Sequence, residues 1–532
     1  MGIPSYFSYI VKNHTKLIKK LRDNKVIVNN LYLDCNSIIY DAVHNLDFSN
    51  IVESDIDTII RSVCNKIDEY ILNLKPDNNI FIAFDGVAPV AKLDQQRSRR
   101  YKSLYQNKIS KSIFKDTKPD PWNTTAITPG TIFMNKLNDK IRCVFNNTSK
   151  YNVQNIILSL SDKYGEGEHK IFEFIRKFPE QHKSKNTIIY GLDADLIMLS
   201  INHLPISNNI YLFRETPHFI KSISSELDPN ESYIIDIPEL AKLITLDMNN
   251  GEELNTKQQK NRIYDYILLC FFLGNDFMPH FPSVNIRTGG IDKMLNAYKA
   301  TIGGTNENLY DGKQIIWKNI RKLVQFLANM EEENMKLEAK LRDRREKNIL
   351  PDETPEEKYN KFDLIPIYER KIEKYINPYK DGWKNRYYKQ LFNIEIDEVR
   401  KKQICLNYLE GIEWTMKYYT VGCPDWRWSY SYMYPPLLSD LIHYIPYFNT
   451  EFISNNPPNP VSELVQLCYV LPKQSLTLLP SKLYNNLIRH HSDWYSTDCE
   501  FIWAYCRYFW ESHVVLPNIE INELEYFVNN NK

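Results

Sequence analysis

"NNIFIAFDGVAPVAKLDQQRSRRYKS", residues 78–103, carries an apolar run, an acid, a proline and a basic run in that order. The run 78–85 is rich in Ile and Phe and reads as a buried strand ending in Asp85. Pro89 suits a first helical turn. Behind it Lys92, Gln96, Arg99 and Arg100 fall at i, i+4, i+7 and i+8. At roughly 100° per residue they share an arc of about 100° on one helical face. A strand that feeds a helix is half of a βαβ unit. The same alternation recurs on both sides of it.

Upstream, 29–34 ends in Asp34. Downstream come 154–161, 187–193, 209–215 and 232–237, with helical patterns between them. Apolar runs that alternate with helices predict an α/β domain on a mostly parallel sheet. Ligands of such sheets bind beyond the carboxyl ends of the strands. From Ile316 the apolar spacing predicts one long charged helix, part of it solvent-exposed or a short coiled-coil arm. Residues 349–361 read as a polar linker, and 365–532 as helix-rich and aromatic. The expected division is 1–310, 311–361 and 362–532.

Bulk composition excludes several classes. The chain has 532 residues, 43% hydrophobic and 25% charged, with a formal net charge of 0. That is a globular composition, and a nucleic-acid partner must be held by a local patch. Nine cysteines stand without a C-x-x-C pair, which points away from zinc and disulfides and toward a reducing compartment. No apolar run is long enough to span a bilayer. A soluble cytoplasmic protein is expected.

Acids mark the strand ends. Asp34, Asp85 and Asp193 close three predicted strands, and Asp195 follows at i+2. Glu166 and Glu168 lie in "YGEGEH" (164–169), and Asp276 in "FFLGNDFMPH" (271–280). Parallel neighbouring strands would gather all seven at one sheet edge. Such a group repels itself unless divalent cations relieve it. Mg²⁺ takes oxygen ligands, and two such ions support phosphodiester cleavage. The glycines of 164–169 allow a tight turn that aims both glutamates inward. His169 reads first as a packing or hydrogen-bonding residue at a helix start, and second as a ligand.

Long ordered motifs carry a family resemblance. "LYLDCNSIIY" (31–40), "AFDGVAPVAKLDQQRSRRYKS" (83–103), "ITPGTIFM" (127–134), "YGEGEHKIFEFIR" (164–176), "IYGLDADLIML" (189–199) and "FFLGNDFMPHFPSV" (271–284) resemble motifs of the XRN family of 5′→3′ exoribonucleases. The likeness continues through 382–392, 409–436 and 470–487, and so spans nearly the whole chain. It implies a PIN/flap-nuclease-like α/β core with helices on both faces, and a helix-rich second region that encloses the active site. It implies that Asp34, Asp85, Glu166, Glu168, Asp193, Asp195 and Asp276 hold two Mg²⁺ ions, with Mn²⁺ as a substitute. Lys92, Gln96, Arg99 and Arg100 match the family pocket for a 5′-monophosphate. Tyr40 stands where the family usually has a stacking His, and the partner ring is Trp426 or Trp428. Met433 falls where the family tends to have a His. The chain resembles a minimal form without the extra β-rich domains of the cytoplasmic members. The implied substrate is decapped single-stranded RNA, with a decapping enzyme as the implied partner.

Two other readings share parts of this pattern. A flap-type DNA 5′ nuclease uses the same acids, but "PHFPSVNIRTGG" (279–290) after Asp276 poorly matches the element that grips duplex DNA. A non-catalytic RNA-binding scaffold would be expected to have lost acids, and all seven are present.

Overall fold

A computed structural model describes residues 6–23, 26–46, 55–116, 122–215, 227–228, 231–454 and 459–531. Seven strands form the main sheet: β1 (Ile18–Lys20), β2 (Asn30–Asp34), β3 (Asn79–Ala83), β4 (Asn155–Ser159), β5 (Asn186–Tyr190), β6 (Asn209–Glu215) and β7 (Ser232–Asp236). Their order is β1-β7-β6-β5-β2-β3-β4. Strands β2 to β6 are parallel, while β7 and β1 close one edge antiparallel. Six of the seven lie where the apolar runs put them. β1 has only three residues, two of them lysine, and carries no periodicity to read.

The chain winds outward from β2 through β3 to β4, then returns to add β5 on the other side of β2. The winding direction therefore switches between β2 and β5, and such a switch leaves a crevice at the carboxyl ends. Asp34 closes β2, and Asp193 follows β5 by three residues.

Both faces of the sheet are covered. Leu31, Leu33, Ile80 and Ile82 point into one cluster with helices Asn36–Asn45, Asp55–Leu74 and Ile132–Val144. Tyr32 and Phe81, one residue out of phase, point into the other with helices Gly167–Lys177, Asp195–His203 and Ile237–Met248. Burial of each such large side chain contributes about 1.5–3 kcal/mol. At the amino edge of the sheet an amide ladder fixes register. Asn78 and Asn79 donate to Asn30 Oδ1 at 3.0 and 3.1 Å, and Asn155 donates to Asn79 at 2.9 Å. Polar groups at the carboxyl edge remain for other work.

The second region shares the core of the first. Helix Glu398–Thr420 sends Tyr408, Ile412, Trp414 and Tyr419 into the same cluster as Tyr32 and Ile189. The single long helix expected from Ile316 is two helices, Trp317–Asn329 and Glu331–Glu346, broken at Met330. The second is solvent-exposed along one face, as expected, and buries the other. Glu331 accepts the backbone N–H of Leu438 at 2.6 Å, and Arg342 donates to both oxygens of Glu373 at 2.7 and 2.8 Å. Glu332, Glu333, Lys340, Asp343 and Arg344 face solvent, while Glu331 and Arg342 are paired inside the fold. The expected linker also holds a helix, Pro355–Asp363, started by a capping box between Thr354 and Glu357. Among the described residues no helix is long and apolar enough to cross a membrane.

Candidate active site

Backbone geometry brings the acids together. Asp34 is the last residue of β2, and Asp85 follows β3 by two residues. Glu166 is the N-cap of helix Gly167–Lys177, and Glu168 lies in its first turn. Asp195 opens helix Asp195–His203. Asp276 comes from the loop after helix Thr256–Phe271. Asp34, Asp85 and Glu168 each offer an oxygen within 4.8 Å of the others. At that spacing two unit charges repel by roughly 3 kcal/mol at an effective dielectric of about 20. Carboxylates at that spacing either retain protons or bind a cation.

The titration of the group follows. Burial, then Asp85, Asp193 and Glu166, push the Asp34 carboxyl well above its usual range. Burial and Glu166 do the same to Glu168. Burial and Asp276 raise Asp195 to about 7. Burial acts on Asp276 too, yet Lys92 brings it well below the usual carboxylate range.

Glycine makes the approach possible. A Cβ on Gly167 would lie 2.4 Å from Asp34 Oδ1. Its bare N–H instead donates to Asp85 Oδ1 at 2.7 Å. Gly165 has φ +95°, a conformation other residues rarely adopt. The tight turn expected in 164–169 is therefore present. Asp34 Oδ1 and Asp195 Oδ1 are buried with no hydrogen-bond partner. Orphaned anionic oxygens in a glycine-lined cradle fit a divalent cation.

Lys92 lies deeper than a phosphate pocket alone would need. Its Nζ is 2.5 Å from Glu166 Oε1 and 2.7 Å from Asp276 Oδ2. The other members of its helical face follow along Val90–Phe114. Gln96 is buried, and Arg99 and Arg100 are half-buried. Arg100 donates one Nη to Thr128 Oγ1 at 2.6 Å, while its other Nη is buried and unpartnered. Arg97 and Lys102 point elsewhere, to the carbonyls of Trp494 and Pro517 and of Trp510 and Ser512.

The second region builds part of this site. The carbonyls of Trp426 and Trp428 accept the N–H groups of Val90 and Ala91 at 3.0 and 3.2 Å, which satisfies the start of the basic helix. Tyr418 donates to Glu166 Oε2 at 2.8 Å, and Tyr419 bonds Asp195. Asn36 donates to Asp85 Oδ2 at 2.6 Å. Sequence reasoning missed these three positioning residues. Asn36 could have been found two residues past Asp34, but the tyrosines read as ordinary helix core. His169 stacks on Tyr418 at 3.7 Å, the packing role expected first, and its ring also lies within reach of Glu166 and Glu168.

The two tryptophans separate. Trp428 stacks on Trp414 at 5.2 Å and is 9% exposed. Trp426 is half-exposed, with Tyr164 edge-on at 6.3 Å. Tyr40 is half-buried on helix Asn36–Asn45, in the electrostatic neighbourhood of Arg100.

Comparison with known proteins gives consistent matches. Residues 1–216 match the family described as XRN 5′-3′ exonuclease N-terminus. Residues 256–371 and 366–530 match the Xrn1 helical domain. The chain is similar to 5′-3′ exoribonuclease 1 of Saccharomyces cerevisiae, at 27% identity over 90% of this chain and 40% of the relative. It is similar to the 5′-3′ exoribonuclease 2 homolog of Drosophila melanogaster, at 25% identity over 98% of this chain and 70% of the relative. Human 5′-3′ exoribonuclease 1 is 28% identical over 98% of this chain and 34% of its own length. The chain thus spans less than half the length of the yeast and human relatives. Among solved structures it resembles the catalytic core of Rad2 in complex with DNA substrate, with TM-score 0.32 and 13% identity over 69% of this chain and 84% of that one.

Proposed function

The chain belongs to the XRN 5′-3′ exonuclease family, and on that premise we propose that it is a Mg²⁺-dependent 5′→3′ exoribonuclease. Its substrate is single-stranded RNA with a 5′-monophosphate, and its product is nucleoside 5′-monophosphates. The observation that carries this reading is the meeting of the carboxylate cluster with the basic helix through Lys92, 2.5 Å from Glu166 and 2.7 Å from Asp276. A terminal phosphate held on that helix lies beside the metal-binding edge of the sheet.

Asp34, Asp85, Glu166, Glu168, Asp193, Asp195 and Asp276 are the residues we assign to two Mg²⁺ ions. Ions held there would supply an acidified water and charge neutralisation at the leaving oxygen. Mn²⁺ offers the same oxygen-ligand chemistry. Asn36, Tyr418 and Tyr419 orient the carboxylates. Gln96, Arg99 and Arg100 hold the terminal phosphate by charge-assisted bonds, which suit a dianion. A 5′-hydroxyl would leave Arg100 with an unpaired buried donor. Tyr40 and Trp426 stack the first bases, which tolerates any sequence and suits processive digestion. Trp428 serves as core, stacked on Trp414.

Decapped RNA supplied by a decapping enzyme is the substrate source consistent with this end chemistry, in the cytoplasm, where the nine free cysteines fit a reducing environment. Digestion of 3′-labelled and internally labelled RNA tests the reading. It predicts mononucleotides without internal fragments, abolished by EDTA and by Asp193→Ala/Asp195→Ala. Internal fragments, or activity in EDTA, would contradict it.

A further inference from the structure

A second group of cations and rings lies one step beyond the basic helix and has no part in the chemistry above. Glu511 anchors it, accepting the N–H of Arg507 at 2.7 Å and pairing with the guanidinium of Arg287. That guanidinium sits 5.3 Å from the ring centre of Tyr508 and 5.6 Å from that of Trp510. The two rings are nearly parallel, 11° apart in plane, and both are half-exposed. Arg507 has a buried Nε with no hydrogen-bond partner. Arg507, Arg342 and Arg287 all lie in the electrostatic neighbourhood of Arg345, with Glu338 opposing them.

The group is tied to the site at one end and opens outward at the other. His280, four residues past Asp276 on the metal-binding side, lies in the electrostatic neighbourhood of Glu511 and Arg287, and Lys102 steadies the rings from the basic helix by donating to the carbonyls of Trp510 and Ser512, both at 2.9 Å. Beyond Arg287, a cavity of about 220 Å³ is lined by Thr288, Lys293, Lys340 and Arg344, with Glu338 at its side.

We propose that Arg287, Arg345, Arg507, Tyr508 and Trp510 form a track for the RNA strand that trails the bound 5′ end. The track rests on the exoribonuclease reading and assigns the path of nucleotides beyond the first few. Parallel rings offer bases a stacking platform, and the guanidiniums of Arg345 and Arg507 offer phosphodiesters cationic donors, while Arg287, paired with Glu511, braces the rings. The cavity at Lys340 and Arg344 extends the path with two more cations. The rings keep exposed surface and the Arg507 Nε is unmet, so both remain available to a ligand.

Steady-state kinetics on 5′-monophosphorylated RNAs of about 3 and about 20 nucleotides test this in the full chain. Arg345→Gln/Arg507→Gln and, separately, Trp510→Ala should raise KM on the long RNA several-fold and leave the short one within about twofold. The log–log salt slope for the long RNA should fall by about 1.4 in the double variant, about 0.7 per lost phosphate contact. Trp510→Phe, which keeps a ring, should retain affinity and separates stacking from folding. Equal effects on both lengths, or none on either, would overturn the track. Anisotropy of a labelled 20-mer in EDTA reads the same variants without turnover. If the wild type hydrolyses neither RNA, the exoribonuclease reading fails, while weaker 20-mer binding by the variants still supports the track. Displacement of the 20-mer by poly-glutamate of equal charge as readily as by unlabelled RNA would overturn the stacking role.

Discussion

Lys92 Nζ stands 2.5 Å from Glu166 Oε1, and both side chains are more than nine-tenths buried. A buried cation among buried acids offsets their mutual repulsion, and removing one partner of such a pair costs about 3–5 kcal/mol. Lys92→Met should therefore lower the melting temperature measured in EDTA. Mg²⁺ should recover part of the loss, because it neutralises the same carboxylates. Differential scanning fluorimetry with and without Mg²⁺ reads both effects. An unchanged melting temperature in EDTA would show that Lys92 is not the counterion of this site.

Cation affinity should depend on pH. Burial and neighbouring acids raise Asp34 and Glu168 well above their usual range, and Asp195 to about 7. A cation binds the ionised form, so it must expel the protons that raised carboxyls retain at neutral pH. Affinity then rises with pH through 7, by up to about tenfold per unit for each proton released, and flattens above the raised values. Calorimetry of Mn²⁺ binding in buffers of different ionisation enthalpy should detect that release. Equal affinity at pH 6 and 8 would contradict the assignment.

The two tryptophans should respond differently. Trp428→Ala opens a cavity against Trp414 and should cost about 3–5 kcal/mol of stability. Trp426→Ala should leave the melting temperature almost unchanged and weaken single-stranded RNA binding by about 1–3 kcal/mol. Thermal unfolding and anisotropy on the two variants check the pair. The reverse pattern would move the stacking role to Trp428.

Much of this arrangement was legible in the chain. The parallel sheet could be read because its central strands β2, β3 and β5 are buried on both faces and appear as unbroken apolar runs ending near acids. Lys92, Gln96, Arg99 and Arg100 could be read because helical spacing is local. Tyr418 and Tyr419 could not, since their partners Glu166 and Asp195 lie more than 200 residues away and nothing local marks a tyrosine as polar-facing. The buried face of the charged helix Glu331–Glu346 was hidden for a related reason. Its Arg342 finds Glu373 only after the chain folds back, so this one charge that looked solvated is internal.

End recognition is the central claim, and the rate of hydrolysis of 5′-monophosphate RNA relative to 5′-hydroxyl RNA measures it most directly. In Mg²⁺ the wild type should strongly favour the monophosphate. Arg99→Ala/Arg100→Ala should lose that preference more than it loses rate on unstructured 5′-hydroxyl RNA. A wild type that degrades both ends equally, or a double variant that keeps the full preference, would contradict the account.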